Sequence, residues 1–254
     1  MRRFVRVLVI GLALLWTAWP APAAEEADAP PSVETPILLP GEMPLACQEH
    51  ALTRHKQFAL ADQVAEKNPD VVFIGDSLVE GWRPLPRLEK GFVADNRGVA
   101  CDTINGVHER LVRDVIARQP KVAVILVGIN DMFLIHRLAS WNRADYVALD
   151  VTAVALRLQS HGIEPLVISL MPVRNPLPGM SVAASNELLH DLNANLRRHC
   201  AKLGVEFLDV QSALGDGSRG LQENYTTDGL HLSPEAYRLL NSIVEKTLAR
   251  MLAG

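Results

Sequence analysis

Residues 71–82 read VVFIGDSLVEGW. A β-branched apolar run, Val71 to Ile74, passes straight into Gly75-Asp76-Ser77-Leu78. An unbroken apolar stretch of that length suits a strand buried on both faces, as in a parallel sheet. The polar pair that follows either turns the chain or holds a serine hydroxyl at the strand's carboxyl end. With DVVFIG (70–75), similar runs occur at VAVILVG (122–128), PLVISL (165–170) and VEFLDV (205–210), and FVADNRG (92–98) is a weaker fifth.

Between these runs the apolar residues recur every three or four positions, marking helices with one buried face. Val107, Leu111 and Val115 do so across 103–118, and Val147, Val151, Val154 and Leu158 across 144–160. Leu188, Leu192, Leu196 and Leu203 do so across 185–203, with Cys200 on the same face and expected to pack in the core. A last helix opens at Ser233-Pro234-Glu235, where serine caps free N–H groups and proline fits the first helical position. Strand and helix in alternation predict a three-layer α/β/α sandwich. In such sheets ligands bind outside the carboxyl ends of the strands.

The chain's 254 residues accommodate one sizeable domain of this kind. Arg2 and Arg3 precede an apolar run from Val7 to Trp19, followed by Pro20-Ala21-Pro22-Ala23-Ala24. This reads as a signal peptide over 1–24, its core short for a bilayer span; a retained N-terminal anchor is the alternative. Export to the periplasm or medium is therefore expected. Residues 25–45 carry five prolines and read as a flexible leader to a domain at 46–254. Losing Arg2, Arg3 and Arg6 would take the formal charge from −4 to −7. No basic patch suggests nucleic acid, and no basic-faced helix suggests membrane binding after cleavage.

Of Cys47, Cys101 and Cys200, export permits one disulfide in any of three pairings. Neither CxxC nor HExxH occurs, so no metal is expected, and His50 and His55 are expected at the surface. No cofactor is implied.

Four polar words fall at predicted rim positions: Ser77, Asn96-Arg97-Gly98, Gly128-Ile129-Asn130-Asp131, and Asp228-Gly229-Leu230-His231 before the last helix. Serine needs a base to become a nucleophile, and imidazole suits that role. Asp228, three residues before His231, is close enough to orient the ring. Attack on an ester makes an oxyanion that needs fixed donors. The candidates are the N–H groups of Ser77 and Gly98 and the side-chain amide of Asn130. Asp76 is expected to bond loop backbone. The G-x-S-x-G elbow of α/β-hydrolases fails at Val79.

GDSL at Ser77, NRGVACDT at Gly98, GIND at Asn130 and DGLHLS at Asp228 and His231 together resemble the SGNH hydrolases, the GDSL esterase/lipase superfamily. The resemblance covers most of residues 70–240 and leans toward its acetylhydrolase-like branch. It implies a five-stranded parallel sheet in flavodoxin-like order. It also implies a Ser77-His231-Asp228 triad, with an oxyanion hole completed by Gly98 and Asn130. The chain departs from close relatives at Ala100-Cys101, where two glycines are common; Cys101 is either a packed thiol or half of a disulfide, and packing is the favoured expectation. The expected substrate is a small-molecule or glycan ester, short-chain or O-acetyl. The alternatives are a lysophospholipase or thioesterase with a longer groove, and a non-catalytic glycan-binding protein. Leu78, Trp82, Met132, Phe133, Val173 and Tyr225 are the candidates to line the pocket, the residues 171–180 and Tyr225 closing it.

Overall fold

The computed structural model describes residues 44–65, 67–135 and 143–253; the expected signal peptide and nearly all of the leader lie outside them. Five strands form one sheet: β1 (Val71–Gly75), β2 (Ala94–Gly98), β3 (Val122–Leu126), β4 (Glu164–Ile168) and β5 (Glu206–Leu208). All pairings are parallel and the order is β2-β1-β3-β4-β5, the flavodoxin-like order. Every residue of β1 and β3 is buried, so helices must cover both faces, and their continuous apolar runs record that.

The helices are α1 (Leu45–Val64), α2 (Ser77–Glu80), α3 (Ile104–Asp114), α4 (Ile129–Ile135), α5 (Arg143–Gln159), α6 (Val182–Leu203), α7 (Gln211–Leu214) and α8 (Pro234–Met251). Side-chain caps start α3, α6 and α8, whereas α1 follows Pro44 without one. Thr103, Ser181 and Ser233 accept from the N–H of Gly106, Ala184 and Ala236 at 3.3, 3.2 and 3.3 Å. Cys200 is buried and free on the inner face of α6, as its spacing predicts.

Sequence spacing did not reveal α1, which begins at Leu45, one residue inside the expected leader. Its leucines point outward: Leu45, Leu52 and Leu60 are exposed, whereas Arg54 and Phe58 are buried. Phe58 lies between two guanidinium groups, 4.6 Å from Arg54 and 4.7 Å from Arg97. Such stacking buries apolar area while satisfying charge. His55, expected at the surface, is half-buried, and burial depresses its pKa.

The order reverses between β1 and β3, whose carboxyl ends therefore open onto one crevice. Buried Arg110 of α3 ties the strand ends beneath it. Its Nη2 donates to the Gly75 carbonyl at 2.9 Å, its Nη1 to the Arg97 carbonyl at 2.7 Å, and its Nε to Asp102 at 2.7 Å.

Candidate active site

β1 delivers Gly75, and Asp76 then caps α2 by accepting the Leu78 N–H at 2.9 Å. Ser77 thus opens a one-turn helix, half-buried at the rim, while Leu78 and Val79 turn into the core. Asp76 is wholly buried, and its second oxygen has no hydrogen-bond partner among the described residues. Burial pushes its carboxyl up to about 8, so it is predominantly neutral at pH 7. It does bond loop backbone, as expected of a structural residue.

The opposite side of the crevice is the loop before α8. His231 Nε2 lies 3.0 Å from Ser77 Oγ, and its Nδ1 lies 2.7 Å from Asp228 Oδ2. The other Asp228 oxygen accepts the N–H groups of Leu230 and His231, at 3.0 and 2.7 Å. Slight desolvation raises the Asp228 pKa, but these hydrogen bonds and the facing imidazole outweigh it and hold the carboxyl at about 2. Gly229 takes φ 91°, a left-handed conformation that favours glycine. Its carbonyl accepts the N–H of Arg174 and of Asn175, at 2.7 and 3.2 Å, and the Asn175 amide donates to the Asp228 carbonyl.

Asn130, at the start of α4 beyond β3, reaches the same crevice and is half-buried. One hydrogen of its amide goes to the Asp102 carbonyl at 2.8 Å, which leaves the other for a ligand.

Gly98 does not supply the donor that the sequence led us to expect. Its N–H is spent on Asn96 Oδ1 at 2.9 Å, and a Cβ at this position would stand 2.0 Å from the Glu80 nitrogen. Glycine is required here for the close approach of α2 to β2. The neighbouring N–H groups are spent too: Val99 on the Gly75 carbonyl, Ala100 on Glu80, Asp102 on the Val99 carbonyl and Thr103 on Asp102. Among the described residues, only the Cys101 N–H of this loop has no acceptor. Cys101 is bonded to Cys47 in a disulfide with a Cα–Cα distance of 5.9 Å, which corrects the expectation of a packed thiol.

A serine, an imidazole and a carboxylate thus stand in one hydrogen-bonded line on this sheet order. The sequence profile of the GDSL-like lipase/acylhydrolase family matches residues 73–239. The chain belongs to that family. Its members are carboxylic ester hydrolases. The chain is 27% identical over 211 residues to the platelet-activating factor acetylhydrolase IB subunit alpha2 of Gallus gallus, covering 79% of this chain and 84% of that one. It is 24% identical over 181 residues, 69% of its length, to the N-acylneuraminate cytidylyltransferase of Escherichia coli, of which it spans only 40%. In structure it is similar to an acetylxylan esterase from Geobacillus stearothermophilus, with a TM-score of 0.55 and 16% identity over 74% of this chain and 95% of that one.

Not every pocket candidate of this GDSL-like chain lines a crevice. Leu78, Trp82 and Met132 are buried members of the hydrophobic core, and Val173, also buried, lines a separate cavity with Arg174 and Asn186. Trp82 donates from Nε1 to Asn241 at 2.6 Å and stands edge-on to Phe73, with centroids 5.3 Å apart. Phe133 and Tyr225 are only partly buried and remain able to meet a ligand. Sequence reading overlooked Asn175, which braces Asp228, and Glu80, which fixes Ala100. The first lay within the 171–180 stretch expected to close the crevice. The second carried no signal beyond standing three residues after Ser77.

Proposed function

We propose that this chain is an exported serine esterase that removes short acyl groups, acetyl foremost, from alcohol or sugar hydroxyls. The observation that carries the reading is the line Ser77 Oγ–His231 Nε2–Asp228, 3.0 and 2.7 Å, on the rim of a parallel sheet. His231 takes the Ser77 proton as the hydroxyl attacks the ester carbonyl. Asp228 holds the ring's Nδ1 proton and stabilises the imidazolium that forms. The N–H groups of Ser77 and Cys101 and the free amide hydrogen of Asn130 receive the oxyanion. Collapse passes the proton to the leaving alcohol. Water, deprotonated by the same histidine, then releases the acid.

The short acyl preference is supported by the loss of Leu78, Trp82 and Met132 to the core, which removes three side chains that could have lined a longer groove. It is also supported by the acetylhydrolase among the relatives. A sugar as leaving group is supported by the exposed, polar base loop and by the acetylxylan esterase among the structural neighbours. Export is supported by the basic-then-apolar start and by the Cys47–Cys101 disulfide, a bond of oxidising compartments. No helix of the described residues is long and apolar enough to cross a membrane.

The test is hydrolysis of aryl esters of graded acyl length, with Ser77→Ala alongside. Turnover that falls steeply beyond acetate and disappears in the variant is the expected result. A maximum at long chains would replace this reading with a lysophospholipase or thioesterase. Saturable glycan binding without Ser77-dependent turnover would replace it with a binding protein.

A further inference from the structure

Helix α1 grips the loop after β2 at three points. Cys47, His50 and Arg54 recur at spacings of three and four, so they share one helix face. Cys47 is covalently bonded to Cys101. His50 Nε2 lies 2.9 Å from the same Glu80 oxygen that accepts the Ala100 N–H at 2.7 Å. Buried Arg54 donates from Nε and Nη2 to the Gly98 carbonyl, at 3.3 and 3.1 Å. The loop is therefore held at Gly98, at Ala100 and at Cys101 itself.

Cys101 needs that restraint. It sits at φ 65°, in the left-handed region that disfavours any residue with a side chain. The same residue carries the one N–H of the loop without an acceptor among the described residues. The backbone carbonyl of its successor, Asp102, accepts the Asn130 amide at 2.8 Å, which ties the residue after Cys101 to Asn130.

We propose that α1 is the positioning element of the oxyanion hole: the Cys47–Cys101 disulfide, backed by Arg54 and Glu80, keeps Cys101 left-handed with its N–H free for the oxyanion. The inference rests on the ester-hydrolase reading above. A covalent tether does here what glycine's freedom would otherwise do. Cys47 and Arg54 act through Cys101 and touch no substrate. Their loss lowers the rate of the chemical step and leaves ester binding nearly unchanged.

The experiment compares wild type, Cys47→Ser and Cys47→Ser/Cys101→Gly on an aryl acetate, well below each protein's melting temperature. Cys47→Ser is expected to lower kcat by about tenfold with KM within about twofold, the size of a lost left-handed preference. Adding Cys101→Gly, which restores tolerance of that backbone conformation, is expected to recover most of kcat although the disulfide stays absent. An unchanged kcat in Cys47→Ser, or a double variant no faster than the single one, overturns the tether. Wild type without turnover, and without labelling of Ser77 by a fluorophosphonate, overturns the hydrolase reading and the tether with it.

Should Cys47→Ser not fold, wild type labelled with nitrogen-15 at cysteine decides the matter. Phosphonylation of Ser77 should move the Cys101 amide proton downfield as it meets the phosphonyl oxygen. An unmoved resonance overturns the proposal.

Discussion

The two sides of the crevice are built in opposite ways. The nucleophile side is an extension of the core: Ser77 is flanked by Asp76 and Leu78, both essentially inaccessible to solvent, and rests on a fully buried strand. The base side is a solvent-facing loop, with the side chains of Asp228 and His231 53% and 43% exposed. The first is held in place by packing. The second is held by hydrogen bonds to Asn175, Arg174 and the backbone of its own turn. Damage to the first side should therefore cost stability as well as rate, whereas damage to the second should cost rate alone.

Asp228→Asn tests the second half of that contrast most severely. An amide at this position stabilises the wrong imidazole tautomer, so kcat should fall by about 10^4-fold. The melting temperature should stay within a few degrees, because the site is exposed. Trp82→Ala tests the first half. It empties a wholly buried site and strands the Asn241 acceptor, so urea unfolding should show a loss of about 3–5 kcal/mol. On the proposed mechanism Asn130→Ala removes one oxyanion donor, so kcat should fall by about 10^2–10^3-fold with KM little changed.

Asp76 sharpens the contrast through pH. Its folded pKa, about 8, lies above the ordinary carboxylate value, so the native state binds a proton that the unfolded chain releases. The Asp76 contribution to stability is full below the ordinary carboxylate range and should be lost as pH rises toward 8, by up to about 1.4 kcal/mol per pH unit. Asp76→Asn should flatten that slope in denaturation curves taken from pH 5 to 8; an unchanged slope would show that Asp76 is not its source. Asp228 is the opposite case: held at about 2, it stays ionised through mild acid and should set no part of the acid limb of activity. The smallest effect belongs to Asn175→Ala, which frees the Asp228 carbonyl and should lower kcat by about tenfold without moving the urea midpoint.

The sheet was legible because its central strands are buried on both faces, and burial on both faces writes itself as an unbroken apolar run. Ser77, Asn130, Asp228 and His231 were legible as short polar words at the ends of such runs. Helix α1 was not, because its inward face carries Cys47, His50, Arg54 and Phe58, and a search for apolar spacing passes over such a face. The exchange of Gly98 for Cys101 as the available donor was equally out of reach. It depends on which N–H groups Asn96 and Glu80 consume, and Glu80 is distant in sequence from that loop. Leu78 and Trp82 misled for a simpler reason: an apolar residue beside a nucleophile reads alike whether it faces a ligand or the interior.

Ser77 and His231 stand 154 positions apart, and the Tyr237 hydroxyl that donates to the Leu78 carbonyl comes later still. A ribosome therefore releases the attacking hydroxyl long before the group that activates it. On the proposed mechanism, a polypeptide extended past Ser77 but not yet to His231 has no base for its serine. On that same mechanism, activity arises only once α8 packs over the turn that follows β1, where the Tyr237 hydroxyl meets the Leu78 carbonyl.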